Sequence, residues 1–185
     1  EQLGQADRAQ AVYQEILDLK DQKKDQDYEI ALTKMAQFHL DAKHPVEAKT
    51  YFQRLLRHNP QAIEALNNLG SIERSLGAHL SAQRYFEQAL QINSNNASIL
   101  CNLALCLHDQ GNTREAIERL THAITLEPKQ SILHFNLANI YSDDRQFKLA
   151  NQHYITALEL NPEYAEAHSN YGFCLRQQGK SNEAI

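Results

Sequence analysis

The strongest constraint in this sequence is a repetition. Residues 97–130 (ASILCNLALCLHDQGNTREAIERLTHAITLEPKQ) and 131–164 (SILHFNLANIYSDDRQFKLANQHYITALELNPEY) are two copies of one 34-residue pattern. Offset by 34, Asn102 falls on Asn136, Leu103 on Leu137, Ala104 on Ala138, Ala116 on Ala150, Ala123 on Ala157 and Pro128 on Pro162. A fixed period of this order marks a stacked-repeat architecture. The frame extends back to 63–96 and 29–62, and forward to a copy that opens at Ala165 and is cut off at Ile185. Counted from the start of each copy, position 8 is always small: Ala36, Gly70, Ala104, Ala138, Gly172. Position 20 is always alanine: Ala48, Ala82, Ala116, Ala150, Ala184. Position 24 is bulky (Phe52, Phe86, Leu120, Tyr154), and position 32 holds Pro60, Ser94, Pro128 and Pro162.

Within each copy, apolar residues recur at positions 3, 7, 10 and 11 and again at 20, 21, 24, 27 and 28, the spacing of two amphipathic helices. Short polar breaks separate them: Lys43-His44-Pro45, Gly77-Ala78-His79, Gly111-Asn112-Thr113 and Gly179-Lys180-Ser181. Pro45 suits the first turn of a helix. Asn112 with Glu115 predicts a start resembling a capping box. Small residues at 8 and 20 let two antiparallel helices approach closely. Neither helix can bury its apolar face alone, so the copies must stack.

This pattern resembles the tetratricopeptide repeat (TPR) family: small at 8, Gly at 15 (Gly77, Gly111, Gly179), Ala at 20, aromatic at 24, Ala at 27, Pro at 32, over residues 29–185. Departures are Lys43 and Arg145 at position 15, Leu55 at 27 and Ser94 at 32. The resemblance implies an all-α fold, a right-handed α-solenoid of stacked antiparallel helix pairs. Repeats are expected at 29–62, 63–96, 97–130 and 131–164, with a truncated one at 165–185. In residues 1–28, Gly4, Ala9, Tyr13 and Ile16 fit positions 15, 20, 24 and 27, as the second helix of a preceding partial repeat would. A charged linker, KDQKKDQDY at 20–28, follows it. Ragged ends predict a piece of a longer protein.

Charge and motif content narrow the function. The net charge is −5 with no basic stripe, which argues against nucleic acid as a partner. The longest mostly apolar run, 99–107, is too short to insert across a bilayer. Cys101, Cys106 and Cys174 form no CxxC and read as reduced, packed thiols, favouring a cytoplasmic location. The first residue is not Met, so a processed N-terminus stays open. Nine histidines form no HExxH or similar metal spacing, and His134 and His168, both at position 4 on the packed arc, read as structural. No Gly-rich phosphate loop or activated nucleophile is present, so no catalysis, metal or cofactor is expected.

The remaining signal lies on the first helix of each copy. At about 100° per residue, positions 2, 5, 6, 9, 12 and 13 share the arc that packing leaves over. In TPR proteins that arc lines a concave groove. Position 6 is Lys34, then Asn68, Asn102, Asn136 and Asn170. An amide offers donor and acceptor together, so such a ladder can grip the backbone of an extended peptide. It resembles the TPR arm of O-linked N-acetylglucosamine transferases, as do the phrases HSNYGFCLRQQGK and CNLALCLHDQGN. Expected groove residues are these four asparagines with Asn67, Asn139 and Leu105, anchors Phe135 and Phe173, and selectors Arg74, His108 and Arg176. The alternative is a purely structural role in which the asparagines bond their neighbours.

Two other functions fit the same sequence: a substrate arm for a catalytic domain beyond Ile185, and a scaffold that self-associates through its ends or convex face. The chaperone-carboxylate clamp of some TPR domains is not expected. Its cations are replaced here by Thr33 or Asn67 in the first repeat and by Ser98 and Asn102, or Ile132 and Asn136, in the third.

Overall fold

The structure, a computed structural model, describes residues 2–18 and 26–179. Most of the predicted linker and the residues after Gly179, Ala184 among them, lie outside the described residues. The described chain is all-α and divides into two compact units, 1–92 and 93–185.

The first unit holds α1 (Gln2–Asp18), α2 (Gln26–Asp41), α3 (Pro45–His58), α4 (Ile63–Ser75) and α5 (His79–Ile92). Each packs on the next. Leu17, Leu32, Met35, Ala36, Phe52, Leu55, Leu69 and Ile72 are among the side chains that close its core. Between α4 and α5, Gly70 lies directly against the buried ring of Phe86. One buried side chain breaks the apolar pattern: Glu73, at position 11, meets Lys49 Nζ of α3 at 2.6 Å.

The second unit holds α6 (Ala97–Asp109), α7 (Thr113–Leu126), α8 (Ser131–Asp143), α9 (Phe147–Leu160) and α10 (Ala165–Gln177). Again each helix packs on the next, and α8 also touches both α6 and α10. Ala138, Ala150, Tyr154, Ala157 and Cys174 are buried together here. Among the described residues, the alanines at positions 8 and 20 are fully buried: Ala36, Ala48, Ala82, Ala104, Ala116, Ala138 and Ala150. That burial is what the close helix approach requires.

The turn inside each pair uses one backbone device. After α6, Gly111 N–H donates to His108 O at 2.8 Å and Asn112 N–H to Leu107 O at 2.9 Å, a Schellman motif. Its left-handed residue sits at position 15, with φ of 77° at Gly77, 81° at Gly111 and 74° at Gly179. Lys43 and Arg145 take the same conformation, at φ 61° and 58°, without being glycine.

Helix starts are more varied. Pro45 does open α3. Asn96 caps α6, its side chain accepting from Ile99 N–H at 3.1 Å. The box expected at Asn112 does not form: Asn112 makes no side-chain cap, and Glu115 is drawn forward to Arg119 at 3.0 Å. An ion pair one turn along competes with reaching back to the cap.

Candidate functional site

In the first unit, Asn67, Asn68 and Arg74 lie half-buried on α4. Asn68 Nδ2 donates to Glu64 O at 2.9 Å, a bond within its own helix.

In the second unit the first helices α6, α8 and α10 carry the remaining candidates, and the asparagines are drawn into contacts between repeats. Asn136 is 9% exposed, and its Nδ2 donates to Cys101 Sγ of α6 at 3.2 Å. Asn139 Oδ1 accepts twice, from Asn170 Nδ2 of α10 at 3.0 Å and from Tyr154 OH of α9 at 2.7 Å. Burial foremost pushes the Tyr154 phenol far above its ordinary pKa, so it stays a neutral donor. Asn102 and Asn170 are half-buried. The expectation that position 6 faces solvent therefore needs correcting at Asn136. Cysteine at position 5 of the preceding copy is small enough for α8 to close over it.

Phe135 is also corrected. It is 8% exposed, with its ring 4.7 Å from Tyr164 and 6.3 Å from Tyr154. Packing does require this ring, because Tyr164, just ahead of α10, lies over it. Phe173 differs. It stands 49% exposed on α10, one turn beyond Asn170. Leu105 is half-buried and Arg176 exposed. His108 Nε2 meets Asp143 Oδ2 at 3.0 Å, bridging α6 and α8. Contacts thus join Asn139 to Asn170 and His108 to Asp143, Phe135 and Asn136 are buried, and Leu105, Phe173 and Arg176 keep part or most of their surface exposed. Sequence reasoning missed Asp143, Tyr154 and Tyr164. A signal existed for the first: His108 and Asp143 are 35 residues apart, as are Cys101 and Asn136.

Asn139→Ala should cost about 1 kcal/mol, because it removes one acceptor, at 2.7 Å, from the hydroxyl of a Tyr154 that is 1% exposed. Urea unfolding would measure it. In Asn139→Asp both acceptor bonds can re-form, so most of the loss should be recovered. Equal losses in the two variants would show that the bonds carry no weight.

Profiles described as tetratricopeptide repeat match residues 61–129, 132–164 and 153–185. The chain belongs to the TPR family. No curated protein matches it in sequence. Solved TPR-type structures superpose well at low identity. MamA from Desulfovibrio magneticus RS-1 is 21% identical with a TM-score of 0.74, covering 84% of this chain and 88% of that one. For PilF of Pseudomonas aeruginosa the values are 22%, 0.76, 84% and 71%. YrrB, a TPR protein with an unusual peptide-binding site, gives 18%, 0.65, 85% and 81%. These likenesses establish the fold. TPR domains are typically non-catalytic interaction modules. Among the described residues no three His, Cys, Asp or Glu side chains are grouped to hold a metal, and no helix is long and apolar enough to cross a membrane.

Proposed function

We propose that this TPR chain binds an extended peptide segment of a partner protein, on the face that α6, α8 and α10 share. The half-exposed Phe173 carries the reading. Beside it, Asn170 is tethered to Asn139 at 3.0 Å, which fixes the helix that carries Phe173 against α8. Packed helices stand about 8–10 Å apart and an extended peptide rises about 3.3 Å per residue, so one repeat serves about every third residue. Backbone contacts at about 1 kcal/mol each do not offset the cost of association, so an apolar anchor is needed. Phe173 is that anchor, and the asparagines act first as mortar between repeats and second as ligands. YrrB lends support as a protein of this fold with a peptide-binding site.

The test is capture on a peptide array. Phe173→Ala should weaken the captured peptides about 5–10-fold, the worth of roughly half a buried phenyl ring. Leu80→Ala, 70% exposed on α5 and outside the face, should leave capture unchanged. Equal capture by Phe173→Ala and the parent would move the site away from α10.

A further inference from the structure

Behind the proposed face, two histidines meet ring to ring. His134 of α8 and His153 of α9 approach Nδ1 to Nδ1 at 3.2 Å. Their centroids lie 5.5 Å apart at an interplanar angle of 27°. That separation is about the N···N distance plus the two centroid-to-nitrogen radii. The rings therefore lie end to end, the geometry of a single N–H···N bond.

The tautomers follow from the other ring nitrogen. His134 Nε2 is 3.1 Å from the carbonyl oxygen of Pro128, which can only accept. His134 thus donates through Nε2, its neutral Nδ1 is the acceptor, and His153 supplies the shared proton through Nδ1–H. One further proton can be held, since a singly charged pair keeps the same bond. A second cannot: both Nδ1 atoms would then carry hydrogen and face each other.

We propose that the His134–His153 pair is a proton-operated latch on the α8–α9 hairpin, closed while one hydrogen is shared and opened when both rings are protonated. Its surroundings favour this behaviour. His134 is 8% exposed, and Tyr141 of α8 flanks His153 at 5.8 Å. Burial first, and then His134, hold the His153 pKa below its ordinary value. No carboxylate, lysine or arginine of α7, α8 or α10 is among the influences on it. The folded state therefore takes up fewer protons than the unfolded one, so stability is full above the ordinary histidine value and falls as pH drops through and below it. Phe135 and Asn136 follow His134 in sequence, so opening shifts the floor of the binding face; that consequence alone rests on the peptide-binding reading.

Imidazole nitrogen NMR across a pH titration tests the latch with no peptide present. His134 should show the Nε2–H tautomer, and the pair should take up its protons in two separate steps rather than one. Thermal melts give a second readout. Between pH 7.5 and 4.5 the parent should lose about 2–4 °C more than His153→Gln, whose amide can donate to His134 Nδ1 without titrating. A single joint step near the ordinary histidine value, an Nδ1–H tautomer at His134, or equal acid losses in parent and variant would each overturn the latch.

Discussion

Gly70→Ala should lower the melting temperature of this protein, against the trend of helix propensity. In an exposed helix the change would stabilise by about 1 kcal/mol. Here a Cβ at Gly70 would stand 2.5 Å from Phe86 Cε1, 2.7 Å from Cζ and 2.8 Å from Cδ1. Phe86 is fully buried, so its ring can yield only by disturbing the rest of the core. Overpacking of this kind costs about 1–3 kcal/mol. The net expectation, overpacking less the propensity gain, is a loss of up to about 2 kcal/mol, read by thermal or urea unfolding. Ala36, Ala104 and Ala138 occupy the same repeat position, fully buried, so the helix backbone itself accepts a methyl there. The obstacle is where the Phe86 ring sits, since Ala36 and Ala138 share their copies with rings at position 24, Phe52 and Tyr154. Adding Phe86→Leu to Gly70→Ala should then cost less than the sum of the two single changes. A variant as stable as the parent would show that the α4–α5 packing is looser than described.

Lys49→Met should be the other large loss, of about 1–3 kcal/mol. Glu73 has 8% of its side chain exposed and pairs with Lys49 at 2.6 Å. Removing the cation strands a carboxylate among apolar neighbours, and a fully buried pair broken this way costs about 3–5 kcal/mol. The figure is lowered here because Lys49 keeps 31% of its side chain exposed, and water can reach the vacated place. Replacing both partners, as Lys49→Met with Glu73→Leu, should recover most of the loss or exceed the parent. The pair also has a pH signature. Its hydrogen bond to Glu73, foremost, raises the Lys49 pKa. Its stabilisation is fully present below the unfolded-state value of about 10.4 and is lost as pH rises through the raised value. Melts between pH 7 and 9 should therefore show no change from this pair.

These two sites differ in how far they could be read beforehand. The paired helices were legible because every copy repeats two amphipathic stripes around an invariant alanine. The small residue at Gly70 and the bulky one at Phe86 were visible too, as positions 8 and 24 of one copy. Glu73 was not, since an acidic residue on a packed stripe gives no hint of the lysine that answers it from the preceding repeat. The binding face was read from a helical wheel, which shows where a side chain leaves its own helix and nothing of what the next helix lays over it. Phe135 is covered by Tyr164 and Asn136 by the approach to Cys101, and both depend on residue sizes in adjacent copies. The useful pattern runs across the wheel. Residues 35 apart link position 5 to 6 and position 12 to 13 of successive repeats, as Cys101 to Asn136 and His108 to Asp143. The turns teach a related lesson: Lys43 and Arg145 break the glycine pattern, yet hold its left-handed backbone.

Within each unit, helices touch chiefly the helix that follows them in the chain. That locality sets the order of events as much as the final arrangement. Contacts between near neighbours close short loops, so little chain entropy is spent before the first helix pair gains its burial, and folding is fast. An array of this kind has no single keystone. Structure can start at any well-packed pair and spread outward, and on heating it is given up from the ends inward.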